Sequence, residues 1–136
     1  MSAAAAELQR AVYQALAGDA TLTGLLGGPD IFDHTPPSAS FPYITFGTTG
    51  VFAWDTSTET GSEVLFALHA WSRARGRGEV LAIMEAIATR LDDAALTVSG
   101  YELVRLGVED SETGYDDDVA VHHGVMRLRA ILEPAA

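Results

Sequence analysis

The chain has 136 residues, 48% of them hydrophobic, and a formal net charge of −11, which sets the scale of one domain, 1–136, with one core. It contains no cysteine, so disulfide-stapled secreted folds and thiolate metal sites such as zinc ribbons are excluded. All eight basic residues are Arg, and the acidic excess disfavours a polyphosphate such as duplex DNA as the main partner.

The opening MSAAAAELQR has neither a basic leader nor an apolar signal core, and no later run approaches the roughly 18 apolar residues of a membrane span. A soluble protein made in the cytoplasm is expected. Ser2 is a candidate N-cap for a first helix in which Leu8, Val12 and Leu16 recur every four residues until Gly18. Asp19 suits a second cap, for a short helical piece through Leu22, Leu25 and Leu26 that Gly27-Gly28-Pro29 closes. Ile31-Phe32 fits a brief strand. Pro36-Pro37 and Pro42 enforce extended backbone, and Tyr43 to Phe46 is the first substantial strand, with Pro42 tolerated at its start.

Gly47 to Ser62 mixes turn formers and hydroxyls with Val51, Phe52 and Trp54. Between pairing strands, a connection of this length forms a long hairpin arm. Its aromatic rings have two possible homes: a partner's surface, or the edge of their own sheet.

The segment from Glu63 to Leu91 is a strand, a basic turn and a helix in succession. Val64, Phe66, Leu68 and Ala70 alternate with Leu65, Ala67, His69 and Trp71, which makes a strand apolar on nearly both faces. The turn carries Arg73, Arg75 and Arg77 with Gly76 and Gly78. From Glu79 the period becomes helical: Val80, Ile83, Met84, Ile87, Ala88 and Leu91 form one stripe, and Glu79 suits the positive end of the helix dipole. Asp92-Asp93 suit that dipole poorly and end the helix.

Ala95 to Val98 and then Tyr101 to Glu109 read as extended, with Val104, Leu106 and Val108 facing one way and Leu103 and Arg105 the other. An acidic loop from Asp110 to Asp118 follows, and the last strand is His122 to Glu133. Alternation gives this strand a core face of Met126, Leu128, Ala130 and Leu132, and an opposite face of His123, Val125, Arg127, Arg129 and Ile131. The sum is an α+β domain of order α-β-β-α-β-β: a four-stranded, mainly antiparallel sheet with two helices on one face and a long hairpin arm. The uncovered face then presents Arg105, Arg127, Arg129 and His69 or Trp71, poor as a core and reasonable as an interface. The acidic and arginine-rich elements read either as solvated surface or as unlike patches that dock copies head to tail.

Catalytic and metal signatures are missing. His122 and His123 are neighbours in a strand and point apart, and His34 and His69 have no ligand at a helical offset. Asp116-Asp117-Asp118 lacks the spaced acids and glycine of a calcium loop. There is no phosphate-cradling glycine loop, no nucleophile elbow and no dinucleotide fingerprint.

The segments ELQRAVYQAL, FPYITFG, LHAWSR leading through GRGE into a helix, and HHGVMRLRA resemble, in that order, the tail terminator or tail completion proteins of long-tailed phages and of the gene transfer agents derived from them. The resemblance runs from about Glu7 to Ala130. Its most telling residues are Pro42-Tyr43, Leu68 to Ser72 with Gly78-Glu79, and His123-Gly124-Val125 with Arg127 and Arg129. It implies a structural, non-enzymatic virion protein at the tail neck. Such proteins form a homo-hexameric ring that caps the tail tube, ends its polymerisation and joins the tail to the head. The implied partners are further copies of the chain, the tail tube protein and the head connector or stopper protein. No cofactor, membrane or specific nucleic acid recognition is implied, although DNA would pass through the lumen. Candidate interface residues are Val51, Phe52 and Trp54 in the arm, and Arg73, Arg75 and Arg77 in the basic turn. Arg105, Arg127 and Arg129 on the sheet and Asp116, Asp117 and Asp118 in the acidic loop complete the set. Two other readings stay open: a head-side stopper or tail-tube subunit, and a small ligand-binding domain or enzyme, which would need convergent polar groups where the core positions are almost wholly apolar.

Overall fold

The computed structural model describes residues 3–54 and 60–135. The chain runs α1 (Ala3–Ala17), α2 (Ala20–Leu26), β1 (Ile31–Phe32), β2 (Tyr43–Ala53), β3 (Ser62–Ser72), α3 (Gly78–Leu91), β4 (Tyr101–Asp116) and β5 (Val121–Pro134). The Ser2 cap and the arm tip at 55–59 lie outside the described residues.

In α1 the four-residue stripe of Leu8, Val12 and Leu16 is buried. The Asp19 carboxylate accepts from the Leu22 amide at 2.9 Å and so starts α2, and Gly27 ends it at φ 84°, a left-handed value that a Cβ would oppose. This capped piece is a full helix, so the described residues form three helices where the α-β-β-α-β-β reading counts two.

Among the described residues the sheet has five strands in the order β1-β2-β3-β5-β4. The strand beyond the expected four is β1, which pairs parallel with β2 through Ile31 opposite Ile44 and Phe32 opposite Thr45; the remaining pairs are antiparallel. Consequently β3 and β4 run parallel on either side of β5, a relation that needs a long crossover, and α3 supplies it. The core lies between sheet and helices: Val64, Phe66, Leu68 and Ala70 of β3 and Met126, Leu128, Ala130 and Leu132 of β5 meet Val80, Ile83, Met84, Ile87 and Leu91 of α3. Gly124 lets α3 approach β5, since a Cβ there would overlap Met84 Sδ and stand 3.2 Å from Val80 Cγ2.

Several local readings are corrected. Ala95 to Val98 is not a strand; Val98 makes only an isolated bridge to Tyr101. Strict alternation puts Val104 with Leu106 and Val108, but a bulge between Leu103 and Arg105 inserts one residue and reverses the faces. Val104 is therefore 53% exposed, and Leu103 joins Leu106 and Val108 against the core. The acidic run is mostly strand: β4 continues to Asp116, which stands opposite Val121, leaving a short turn between the strands. Ile131 falls among the open-face arginines by alternation but is buried. Asp92 and Asp93 do leave helical geometry, and they tie the α3–β4 link to the sheet. The Val108 amide donates to Asp92 Oδ1 at 2.9 Å, and the Asp93 amide to the Leu106 carbonyl at 2.9 Å.

Candidate functional interface

Strand register orders the face opposite the helices into rows. One row is Tyr43, Trp71 and His123; the next is Thr45, His69, Val125 and Glu112. Trp71 and His123 stack with centroids 3.9 Å apart at 3°, and His69 Nδ1 lies 2.6 Å from His123 Nε2. The Trp71 indole N–H donates to Thr45 Oγ1 at 3.0 Å. Gly47 leaves the space that the His69 ring occupies, because a Cβ there would overlap it. Both imidazoles are held below the ordinary histidine pKa. Desolvation is the main cause for each; the Arg127 charge adds to it for His69, and His69 adds to it for His123. At neutral pH the pair is thus uncharged, with one ring donating and the other accepting. Histidines 54 positions apart carry no sequence signal of this meeting.

His122 points the other way, as the alternation requires. It is buried against the Tyr115 ring at 4.6 Å between centroids, and its ring nitrogens have no hydrogen-bond partner. Among the described residues no three His, Cys, Asp or Glu side chains gather as a metal site.

Two of the three sheet arginines, both on β5, are neutralised across strands. Arg127 donates to Asp110 Oδ1 at 2.7 Å and to Glu112 Oε1 at 3.0 Å, and these bonds, Asp110 foremost, raise its pKa further. Both carboxylates belong to the run that the sequence presents as a loop. Arg129 pairs with Glu63, and its guanidinium carbon is 5.3 Å from the centre of the Trp54 ring. Arg105 is exposed and has no ion-pair partner among the described residues.

In the arm, the Trp54 amide donates to the Gly61 carbonyl at 2.9 Å, closing its base. Trp54 leans back over Arg129 yet stays 39% exposed, and Phe52 is 50% exposed. Phe52 rims an open groove of about 550 Å³ whose floor includes Gly50, Leu65, Ala67 and Val125. Val51 is exposed as well.

The remaining candidates collect at the opposite end of the sheet. Ser72 stands opposite His122, and Asp116 opposite Val121, so the basic turn after β3 and the acidic turn between β4 and β5 lie at one level. Ser72 organises the basic turn: its hydroxyl donates to Glu79 Oε1 at 2.7 Å and accepts from the Ala74 amide at 3.1 Å. Arg77 then occupies the N-cap of α3 with no side-chain cap bond. In the other turn, Asp116 Oδ1 accepts from the Asp118 amide at 3.0 Å. Arg73, Arg75, Arg77, Asp116, Asp117 and Asp118 are all exposed. None has an oppositely charged partner within 4.0 Å among the described residues.

The structure thus sorts the sequence candidates into an arm, a sheet face on which Arg127 and Arg129 are neutralised and Arg105 is not, and a charged end. The family model for tail completion protein gp17 matches residues 10–133. Among solved structures, the chain is similar to one from the virion of a native gene transfer agent particle, with 28% sequence identity, 98% of this chain and 99% of that chain covered, and a TM-score of 0.88. No curated protein matches the chain in sequence.

Proposed function

The chain belongs to the tail completion protein gp17 family, and from that premise we propose that it is the terminator ring of a phage-type tail. It is a structural tail protein of the virion. In the proposed role, six copies form a ring on the head-facing end of the tail tube, stop tube growth and present the surface that the head connector meets. The observation that carries this reading is the match to a virion chain across nearly the full length of both proteins, which spans the arm, the open sheet face and both charged turns. The exposed side chains fit contact rather than chemistry. Arg and aromatic residues, enriched at interface centres, stand on the open face and at the charged end, and Phe52 and Trp54 in the arm offer apolar anchors to a neighbour along the tail axis.

The test is electron microscopy of particles from a strain lacking the protein. Filled heads without tails, beside tubes of uncontrolled length, support the reading. Absence of tubes altogether would make the chain a tube subunit, tubes of normal length beside leaking heads would make it a stopper, and normally tailed particles would refute a neck role.

A further inference from the structure

Strand order and register put two unlike charged features at one level on opposite flanks of the sheet. On the β2 flank, Phe41 and Phe32 pack against Tyr43 with ring centroids 5.0 and 6.0 Å away. Arg73 lies 4.4 Å above the Phe41 ring, with Arg75 and Arg77 following in the same turn. On the β4 flank, the turn presents Asp116, Asp117 and Asp118, then Val119, which is 53% exposed.

Acidic residues outnumber basic ones 19 to 8, yet Arg73, Arg75 and Arg77 cluster in one turn with no carboxylate within 4.0 Å among the described residues, whereas the other arginines without one, Arg90 and Arg105, stand singly. Elsewhere Arg10, Arg127 and Arg129 each have an acidic neighbour. The basic turn follows β3 and the acidic turn leads into the neighbouring β5, and they still do not neutralise each other. The basic turn leans over Phe41 toward β2, whereas the acidic turn is reached from the outermost strand β4. Arginine beside aromatic rings makes a partner-binding patch, and its charge calls for carboxylates. The exposed N-terminus of α3 at Arg77 adds its positive dipole end to the same surface.

We propose that the acidic β4–β5 turn of one copy docks on the Phe41–Arg77 patch of a second copy, an inference that rests on the ring reading above. The contact is heterologous: every copy offers one turn and one patch, on opposite flanks and at equal height. Rotation about an axis along the strands repeats it and closes a ring. Val119 seats at the rim of the aromatic cluster while Asp117 and Asp118 face Arg75 and Arg77. Screening over about 8 Å at physiological salt makes assembly salt-sensitive.

The experiment is charge reversal by complementation of the strain that lacks the protein. One variant is Arg75→Asp/Arg77→Asp, the other Asp117→Arg/Asp118→Arg. Arg73, which packs on Phe41, and Asp116, which holds its turn, stay intact. Each variant alone is expected to reduce tailed particles to the level of the uncomplemented strain. Producing both together restores them, because a ring with an even number of copies can alternate the two and satisfy every contact. A chain carrying both reversals also restores them, at an unchanged net charge of −11. Normal tails with either variant alone overturn the proposal and leave the tail function standing. Failure of both rescues, with melting temperatures of the purified variants unchanged, overturns it too. Normal tails without any protein would instead refute the ring reading. A second measurement covers a variant that fails to fold. The chain has no native cysteine, so Arg75→Cys/Asp118→Cys in particles treated with a mild thiol oxidant, which takes up the two electrons of each bond, should give a disulfide ladder of linked copies; its absence from oxidant-treated assembled particles refutes the contact.

Discussion

Gly124→Ala tests how α3 is seated, and with it the position of the basic turn at the start of that helix. The added methyl would overlap Met84 Sδ and stand 3.2 Å from Met84 Cγ and Val80 Cγ2. Met84 can swing, having three rotatable bonds, but Val80 is β-branched and stiff and fully buried. The residual clash therefore falls on the helix–sheet spacing. Overpacking of this kind costs about 1–3 kcal/mol. Met84→Ala alone should cost about 2–5 kcal/mol through the cavity it leaves. In the double variant the alanine methyl at 124 occupies part of that cavity, so the combined loss should fall short of the sum by about 1 kcal/mol or more, as contacting residues do. Urea unfolding with an unchanged m-value is the assay. A Gly124→Ala variant as stable as the wild type, with strict additivity, would mean that α3 does not lie against β5 at this point.

Other expectations follow from burial and charge. Leu68→Ala and Leu128→Ala remove fully buried side chains from β3 and β5, and each should lower unfolding free energy by about 2–5 kcal/mol; unchanged stability would refute the strand phase. Phe52→Ser/Trp54→Ser should cost no more than about 1 kcal/mol, mostly the lost Arg129–Trp54 contact, while abolishing tail attachment; a large drop in melting temperature would make these rings structural. His69 and His123 bind protons less readily folded than unfolded. Their contribution is therefore complete above about pH 6.5, the unfolded value, and declines as pH falls from there toward the lowered folded values. His123→Gln should flatten this part of the stability profile, and an unaltered slope would refute the assignment.

Much of the fold was legible because local patterns carried it. Leu8, Val12 and Leu16 declared α1, Asp19 and Gly27 marked both ends of α2, and the change from period two to period 3.6 around Arg73 to Gly78 located β3 and α3. What failed depended on distant pairing. Asp110 and Glu112 look like part of a solvated run until Arg127 is known to lie across the sheet from them. Ile31-Phe32 is a brief strand as read, but two positions carry too little pattern to show that it pairs with β2, so the count of four strands left it out. The bulge at Val104 has no marker residue, so the alternation continued through it in the wrong phase. The interface candidates were legible as residue types only. That the arginines of β5 are neutralised while those of the basic turn have no ion-pair partner among the described residues comes from strand register, and so does the His69–His123 pair.

The most direct measurement is a cryo-electron microscopy reconstruction of the neck of the particle that carries this protein. The account predicts one layer of six copies between the uppermost tube ring and the head connector, with no further copies along the tube. Repeated layers down the tail, a layer on the head side of the connector, or no copy at the joint would contradict it.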